Sequence, residues 1–436
     1  MSARPHRTAA ILSVGDELTL GQTLDTNSRW LSQRLLDAGV IVREHSTVPD
    51  DLPAIVRTIQ RLAATSADPI DLIILTGGLG PTADDLTRDA LAAALHEPLT
   101  DDHQAIADLS RWFAGRDMPA ANLLQARRPA SATCLPNLQG TAPGLHATLQ
   151  ATDIFCLPGP PSEMQPMFGH HVLPRLRHAP GHTVATRVLP TYGLGESEIA
   201  RRLGDLMDRG RESRNLPLVG TTASNGVVSI RIRATGDQLA AARAADAVAI
   251  ECRGLIGAEW VLADSDRSLA AVVLDLLRDG RQTLALAESC TGGLLGAMLT
   301  EVPGSSDAVW GGWITYANAA KAAQLAVPQS VLDTHGAVSA PCARAMAQGA
   351  LRASGCTHAL SVTGIAGPAG GSPNKPVGTV WIALASRDQP PAARRFQLAG
   401  DRQNIRVWSA QSALALLRLR MIGREDVTLM RQQENA

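Results

Sequence analysis

Apolar positions in the first 170 residues form short solid runs separated by stretches at helical spacing. TAAILSV (8–14) is an unbroken apolar run that ends at Gly15-Asp16-Glu17, the pattern of a buried strand entering a turn. A helical pattern spans 27–38 and stops at Gly39, 40–47 reads as a strand, and Leu52, Ile55, Val56, Ile59 and Leu62 recur on one helical face. DLIILTGG (71–78) is a second buried-type strand running into a glycine-rich turn, with a helix expected over 84–95, and DIFCLPGPP (153–161) supplies a further strand. Strand and helix in alternation predict a parallel sheet covered on both faces.

The rhythm changes between 182 and 262, where a helix (195–209), a strand of alternating character (226–236) and a second helix (238–252) predict a small α+β region. After Ala263-Asp264-Ser265-Asp266 the α/β pattern resumes. Leu269, Val272, Val273, Leu276 and Leu277 share one helical face that stops at Gly280. TLALA (283–287) is a strand leading into Glu288-Ser289-Cys290-Thr291-Gly292-Gly293, and LLGAMLT restarts a helix. Ser339 is the expected N-cap of a helix reaching Ser354, with Pro341 in its first turn. HALSV (358–362), a strand over 378–386 and a last helix over 402–420 complete the pattern. The expected fold class is therefore α/β: an N-terminal doubly wound sheet in 1–172, a small α+β region in 182–262 and a C-terminal α/β domain in 265–422. A chain of 436 residues accommodates this at roughly 100–200 residues per domain.

Composition narrows the function classes. Lys+Arg 40 against Asp+Glu 41 leaves no overall pull toward nucleic acid or anionic membrane. Aromatics make up 3% of the chain, too few for a base-stacking surface. No apolar run is long enough to span a membrane, the start MSARPHRTAA lacks an apolar signal core, and the six cysteines show no C-x-x-C; a soluble, reduced, cytoplasmic protein is expected. Only two lysines, Lys321 and Lys375, stand among the 40 basic residues. In a chain that otherwise uses arginine, a retained lysine marks a position where an amine able to lose its proton matters.

Candidate chemistry gathers in two places. Asp16-Glu17 follows the first strand and Asp84-Asp85 follows TGGLGPTA; in doubly wound sheets the ends of the first and third strands adjoin at the switch point where ligands bind. The turn Gly77-Gly78-Leu79-Gly80 offers backbone N–H groups, and a helix starting near Asp84 offers its positive end, both suited to phosphate. Carboxylates beside phosphate call for a hard divalent cation such as Mg²⁺ between them. Helix capping is the commoner use of each acid alone; two pairs beside a glycine-rich turn favour a site.

In the C-terminal region Ser289 sits where a strand turns into a helix, a place that can expose a nucleophile to the amides of Gly292 and Gly293 as an oxyanion hole. Neither His335 nor His358 stands in a serine–histidine motif, so Lys321 in TYANAAK, kept neutral by desolvation, is the expected base. Against this stand a plain helix cap for Ser289, a solvated lysine for Lys321, and Cys290 as an alternative nucleophile. Lys375, in a Gly/Pro-rich loop, reads as an anion contact or a solvated side chain.

The motifs SVGDELTLGQTLDTN (13–27), TGGLGPTADDLTR (76–88), GTAPG (140–144) and LPGPPSEM (157–164) resemble the N-terminal domain of the CinA family, related to molybdopterin-binding domains. AESCTGG, TYANAAK, HGAVSAP, SVTGIAGPAGG, KPVGTVWIA and GDR resemble the family's C-terminal domain, a PncC-type nicotinamide mononucleotide amidohydrolase. The resemblance implies a molybdopterin-binding-like fold and metal-dependent hydrolysis of ADP-ribose, with Asp16, Glu17, Asp84 and Asp85 as metal ligands. Asn27, Gly77, Gly78, Gly80 and Thr82 are then ligand contacts. It further implies deamidation of nicotinamide mononucleotide without a cofactor by Ser289 and Lys321. Tyr316 would orient the pair, Thr291, Gly292 and Gly293 would lie around the substrate, and Thr363, Gly364, Gly367 and Arg402 would take the nucleotide phosphate. Many relatives read YSN-E-A-K where this chain has YAN-A-A-K (316–321), a change in substrate contacts that leaves the base in place. Small nucleotides as ligands and a homodimer are further expectations. Two rival classes are a competence-associated binder of nucleic acid or protein and an adenylyl transferase of molybdenum-cofactor assembly. The first is disfavoured by residues 171–253, where 12 Arg face eight Asp/Glu and Tyr192 is the one aromatic.

Overall fold

The computed structural model describes all residues except 1–3, 65–68, 180, 182, 213–215 and 434–436, so residue 182, where the middle region was expected to begin, lies outside the described residues. The chain divides into two compact units, residues 1–185 with 235–242, and residues 186–234 with 243–436.

The first unit is built on a six-stranded sheet. Its strands are β1 (Thr8–Val14), β2 (Ile41–Val48), β3 (Leu72–Thr76), β4 (Thr133–Leu135), β5 (Gly144–Leu149) and β6 (Thr152–Leu157), in the order β2-β1-β3-β6-β5-β4. The four strands from β2 to β6 run parallel, whereas β5 and β4 are antiparallel additions at one edge. The expected all-parallel sheet is thus corrected at that edge. Leu149 pairs with Thr152, so only two residues join β5 to β6, and a connection that short permits only antiparallel pairing.

Every residue of β1 is buried, because helices cover both faces. Ala10, Leu12 and Val14 pack with Ile55 and Ile59 of α2 (Leu52–Ala63) and with Leu91 of α3 (Thr87–Leu95). The alternate residues Ala9 and Ile11 pack with Leu31 and Leu35 of α1 (Thr26–Asp37) and with Phe168. The two-residue period of a strand thus explains why the run carries no polar interruption. α4 (His103–Trp112) follows, N-capped by Asp102, whose carboxylate accepts the Ala105 N–H.

Next along the chain a three-stranded sheet, β7 (Thr183–Tyr192), β8 (Leu218–Ser224) and β9 (Val227–Gly236), has the order β8-β9-β7 and is accompanied by α5 (Glu196–Glu212) and α6 (Gln238–Ile256). α7 (Leu269–Asp279) leads to the second large sheet. That sheet contains β10 (Leu284–Glu288), β11 (Val309–Ile314), β12 (His358–Gly364), β13 (Thr379–Ser386), β14 (Gln389–Gln397) and β15 (Gln432–Gln433), in the order β11-β10-β12-β13-β14-β15. β11, β10 and β12 are parallel and the rest antiparallel. Leu284 and Leu286 of β10 face one core with the helix α11 (Arg402–Met421), while Ala285 and Ala287 face α10 (Ala340–Ser354). Small residues on that second face let the helices come close. Gly349 of α10 is the extreme case, since a Cβ there would lie 2.0 Å from the Leu325 carbonyl oxygen. α11 also ties this sheet to the middle region: Arg418 donates to the carbonyls of Glu259 and Val261, 2.6 Å each, and Tyr192 Oη lies 2.8 Å from Ser412 Oγ. Among the described residues no helix is long and apolar enough to cross a membrane.

Candidate active sites

Both large sheets place a first and a third strand side by side, β1 with β3 and β10 with β12, and the chemistry sits at their carboxyl ends. In the first unit the turns after β1 and β3 wall a cavity of about 550 Å³. Glu17, Asn27, Gly77, Gly78, Gly80, Thr82, Asp84 and Asp85 all line it, as the sequence led us to expect. Asp16 does not; its carboxylate accepts the Asp50 N–H at 3.3 Å, and Asp50 in turn accepts the Asp16 N–H at 2.9 Å. Asp50 lines the cavity and was missed by sequence reasoning, although Val48-Pro49-Asp50-Asp51 at the end of a strand was a legible signal. Burial raises the Asp50 pKa, and the charges of Asp16, Glu17 and Asp84 raise it further.

The glycine turn works differently from the expectation. Gly77 has φ +98°, and a Cβ there would lie 2.3 Å from the Val14 carbonyl oxygen, so this glycine lets β1 and the turn after β3 approach each other. Its N–H goes to Leu157 O and that of Gly80 to Asp85 Oδ1, which leaves Gly78 and Leu79 as the amides of this turn without a protein acceptor. Asp85 holds the loop closed by also accepting the amide and the hydroxyl of Thr82. As a result α3 starts at Thr87 and not near Asp84, and its first residue is no part of the cavity wall. Hydrogen bonding within this turn holds the Asp84 carboxyl below the ordinary carboxylate range. Asn27 donates to Gly159 O at 2.7 Å while its Oδ1 is buried without a partner.

Among the described residues six carboxylates line this cavity (Glu17, Asp25, Asp50, Asp84, Asp85 and Glu163), and no Lys, Arg or His does. Among the described residues no group of three or more His, Cys, Asp or Glu is placed to hold a metal ion. A divalent cation here would therefore be held by one or two carboxylates together with phosphate oxygens and water.

In the second unit Ser289, Cys290, Tyr316, Asn318, Lys321, Thr363, Gly364 and Arg402 line a cavity of about 170 Å³. Lys321, on α9 (Asn318–Leu325), is only 1% exposed. Its Nζ lies 3.0 Å from Ser289 Oγ, 2.8 Å from Thr315 O and 3.2 Å from Tyr316 O. Two N–H bonds directed at the carbonyls leave the fourth tetrahedral direction of the nitrogen toward the serine hydroxyl, so a neutral amine presents its lone pair there. Burial lowers the Lys321 pKa, with only a partial opposing effect from the Cys342 and Cys290 thiols. The sign is definite. As pH falls from the ordinary lysine range through the lowered value, the unfolded chain binds the proton first and stability declines. Catalysis that needs the free amine rises over the same window as pH increases. We expect kcat/KM of a reaction that uses this serine to climb with pH to a plateau, with a midpoint below that of an ordinary lysine; a profile flat from acid to alkaline pH, or a midpoint at or above the ordinary lysine value, would contradict this assignment.

Ser289 is not a helix cap. The N-cap of α8 (Leu294–Thr300) is Gly293, and the capping acceptor is the carboxylate of Glu288, which takes the amides of Gly293, Leu295 and Gly296 at 2.9, 3.1 and 2.8 Å. Glu288 is buried and was not anticipated. Its bonds overturn the expected oxyanion hole: the Gly293 amide is committed to Glu288 and the Gly292 amide to Ser289 O. Thr291, Gly292 and Gly293 lie outside the cavity wall, and Thr291 instead accepts Arg406 through its carbonyl. Among the described residues the amides of Cys290 and Thr291 have no acceptor elsewhere in the protein, the Cys290 amide meeting only its own thiol, and Cys290 lines the cavity. Burial pushes the Cys290 thiol up to about 12, which disfavours it as a nucleophile.

Tyr316 reaches Lys321 through its backbone carbonyl; its ring is 61% exposed and its hydroxyl accepts from Arg402. Arg402 also donates to Gly367 O, so Gly367 serves the site from outside its wall. The Thr363 hydroxyl is engaged with Ala337 O. Lys375 donates to His335 O away from the cavity, and His358 bonds to Ser386 and Gln282 at the opposite end of β12. Among the described residues no histidine lines the Ser289 cavity.

Three family models match the chain. Residues 10–178 match the model of a probable molybdopterin binding domain, 186–257 that of the damage-inducible protein CinA KH domain, and 266–421 that of the CinA C-terminal domain. A CinA-like protein of Geobacter metallireducens is 43% identical over 420 residues, covering 95% of this chain and 99% of that one. A putative competence-damage inducible protein of Symbiobacterium thermophilum is 42% identical over 434 residues, 96% of this chain and 100% of that one. The solved structure of the competence/damage inducible protein CihA from Agrobacterium tumefaciens is 41% identical and covers 34% of this chain and 92% of that one, with a TM-score of 0.34. The chain belongs to the CinA family.

Proposed function

We propose that the C-terminal site deamidates nicotinamide mononucleotide to nicotinate mononucleotide and ammonia. The observation that carries this reading is the 3.0 Å contact between a buried lysine amine and the hydroxyl of Ser289, with no carboxylate or imidazole among the described residues of the cavity wall to do the same work. Ser289 Oγ attacks the carboxamide carbon as Lys321 Nζ takes the hydroxyl proton. The oxyanion forms beside the free amide of Cys290. Lys321 then returns the proton to the departing nitrogen, the C–N bond breaks and ammonia leaves. Water attacks the resulting ester with Lys321 again as base, which frees the carboxylate product and the serine. Arg402, fixed by Gly367 and Tyr316, supplies positive charge for the phosphate.

The N-terminal site is assigned, on the same footing, to hydrolysis of the diphosphate bond of ADP-ribose, giving AMP and ribose 5-phosphate. A divalent cation, when bound, neutralises the diphosphate and polarises its phosphorus–oxygen bonds. One or two of the carboxylates lining the cavity, Asp84 among them, would hold it, the amides of Gly78 and Leu79 are free to meet phosphate oxygens, and Asn27 Oδ1 is free to accept a ligand hydroxyl. A cavity with six carboxylates and no lining cation supports the metal requirement, because a bare diphosphate would be repelled. The test is AMP release from ADP-ribose with and without Mg²⁺, in wild type and Asp84→Asn. Chelation should abolish turnover and the variant should lose at least about tenfold. Turnover that is indifferent to chelation would refute the reading, and AMP transfer from ATP to a molybdopterin precursor would favour the adenylyl-transfer alternative.

A further inference from the structure

A second cavity of about 220 Å³ adjoins the N-terminal one, and the two share Thr141 in their walls. We propose that this second cavity seats the nucleobase of the nucleotide whose diphosphate occupies the first, an inference that rests on the N-terminal reading above. One wall is a single face of α4: Ala105, Asp108, Leu109 and Trp112 stand at positions i, i+3, i+4 and i+7. The opposite wall brings Pro136 and Pro143 from the turns around β4 and β5. Trp112 is 40% exposed, an indole left open to a ligand in a chain that has few aromatics.

Charge decides which part of a nucleotide fits. The described lining holds two carboxylates, Asp102 and Asp108, and no Lys, Arg or His, so a phosphate is excluded. Burial pushes the Cys134 thiol to about 12, which keeps that part of the wall uncharged. A planar, neutral heteroaromatic ring bearing N–H donors suits both features. It stacks on the indole, and its exocyclic amine finds an acceptor in Asp108. Gln104 and Arg111 both bond to Oδ1 of that carboxylate, which leaves Oδ2 free. Aminopurines carry such an amine. Asp102 is spoken for, bonded to Arg128 and to the Ala105 amide, so it shapes the wall and does not recognise the ring.

The test compares wild type, Trp112→Ala and Trp112→Phe on two substrates with Mg²⁺: ADP-ribose and a base-free diphosphate diester of two riboses. Trp112→Ala should lower kcat/KM for ADP-ribose about tenfold, mainly through KM, as loss of one base–aromatic stack does. Trp112→Phe should restore it, and the base-free substrate should not distinguish the three proteins. Equal losses on both substrates, or none on either, would overturn the proposal. Calorimetric titration of AMP into wild type and Trp112→Ala separates this from failure of the hydrolase reading. If neither substrate is cleaved, AMP bound about tenfold more weakly by the variant still supports the base seat. Equal affinity, or no binding to wild type, overturns it.

Discussion

Lys321→Arg should abolish ammonia release from nicotinamide mononucleotide, lowering kcat by about a thousandfold or more, the scale on which positioned general bases act. The substitution keeps the positive charge and most of the length, so a lysine that merely held the fold together or attracted an anion would be replaced with modest loss. Arginine cannot become a neutral base near physiological pH. Its planar guanidinium also cannot point two N–H bonds at Thr315 O and Tyr316 O while turning a lone pair on Ser289. Ser289→Ala should cost about as much, and the double variant little more than either alone, because groups that act as a unit do not add. Near-normal turnover by Lys321→Arg would remove the proposed base.

The second large effect is expected at a residue that never touches substrate. Glu288→Gln should lower kcat by about a hundredfold, the cost of a small misplacement at the reacting centre. The native carboxylate receives three amides from the turn that follows Ser289. Glutamine offers one oxygen and turns an NH₂ group toward amides that are themselves donors. Hydrogen bonds to a charged acceptor contribute about 1.5–3 kcal/mol each, and buried donors left unpaired carry a further penalty. A loss of about 3 kcal/mol in denaturant unfolding should therefore accompany the drop in rate. Unchanged turnover and stability would mean that the turn is held by its glycines alone.

Much of this was legible in the chain. β1, β3, β10 and β12 were visible as solid apolar runs because strands covered on both faces leave no place for a polar residue. Lys321 stood out because only one other lysine exists in the sequence. What escaped has a common physical origin in hydrogen bonds between residues several positions apart. Glu288 read as one more acid at a strand end, since nothing in its neighbours reveals that amides five, seven and eight residues later converge on it. Asp85 bends back onto Gly80 and Thr82, which delays α3 and consumes an amide that the glycine pattern alone would leave open for phosphate. The antiparallel edge of the first sheet hinged on the two-residue turn Gln150-Ala151, which carries none of the Asn-Gly or Asp-Gly chemistry that announces a hairpin. Tyr316 was noticed for its phenol, yet it is the backbone carbonyl that meets the amine.

A serine hydroxyl activated by a neutral lysine should become covalently acylated. Rapid mixing of the full-length protein with nicotinamide mononucleotide, acid quench within the first turnover and mass mapping of peptides tests it directly. The nicotinate mononucleotide acyl group should be found as an ester on Ser289 and be absent from Ser289→Ala. Product formed in that first turnover with the adduct on Cys290, or with no adduct on any residue, would contradict it.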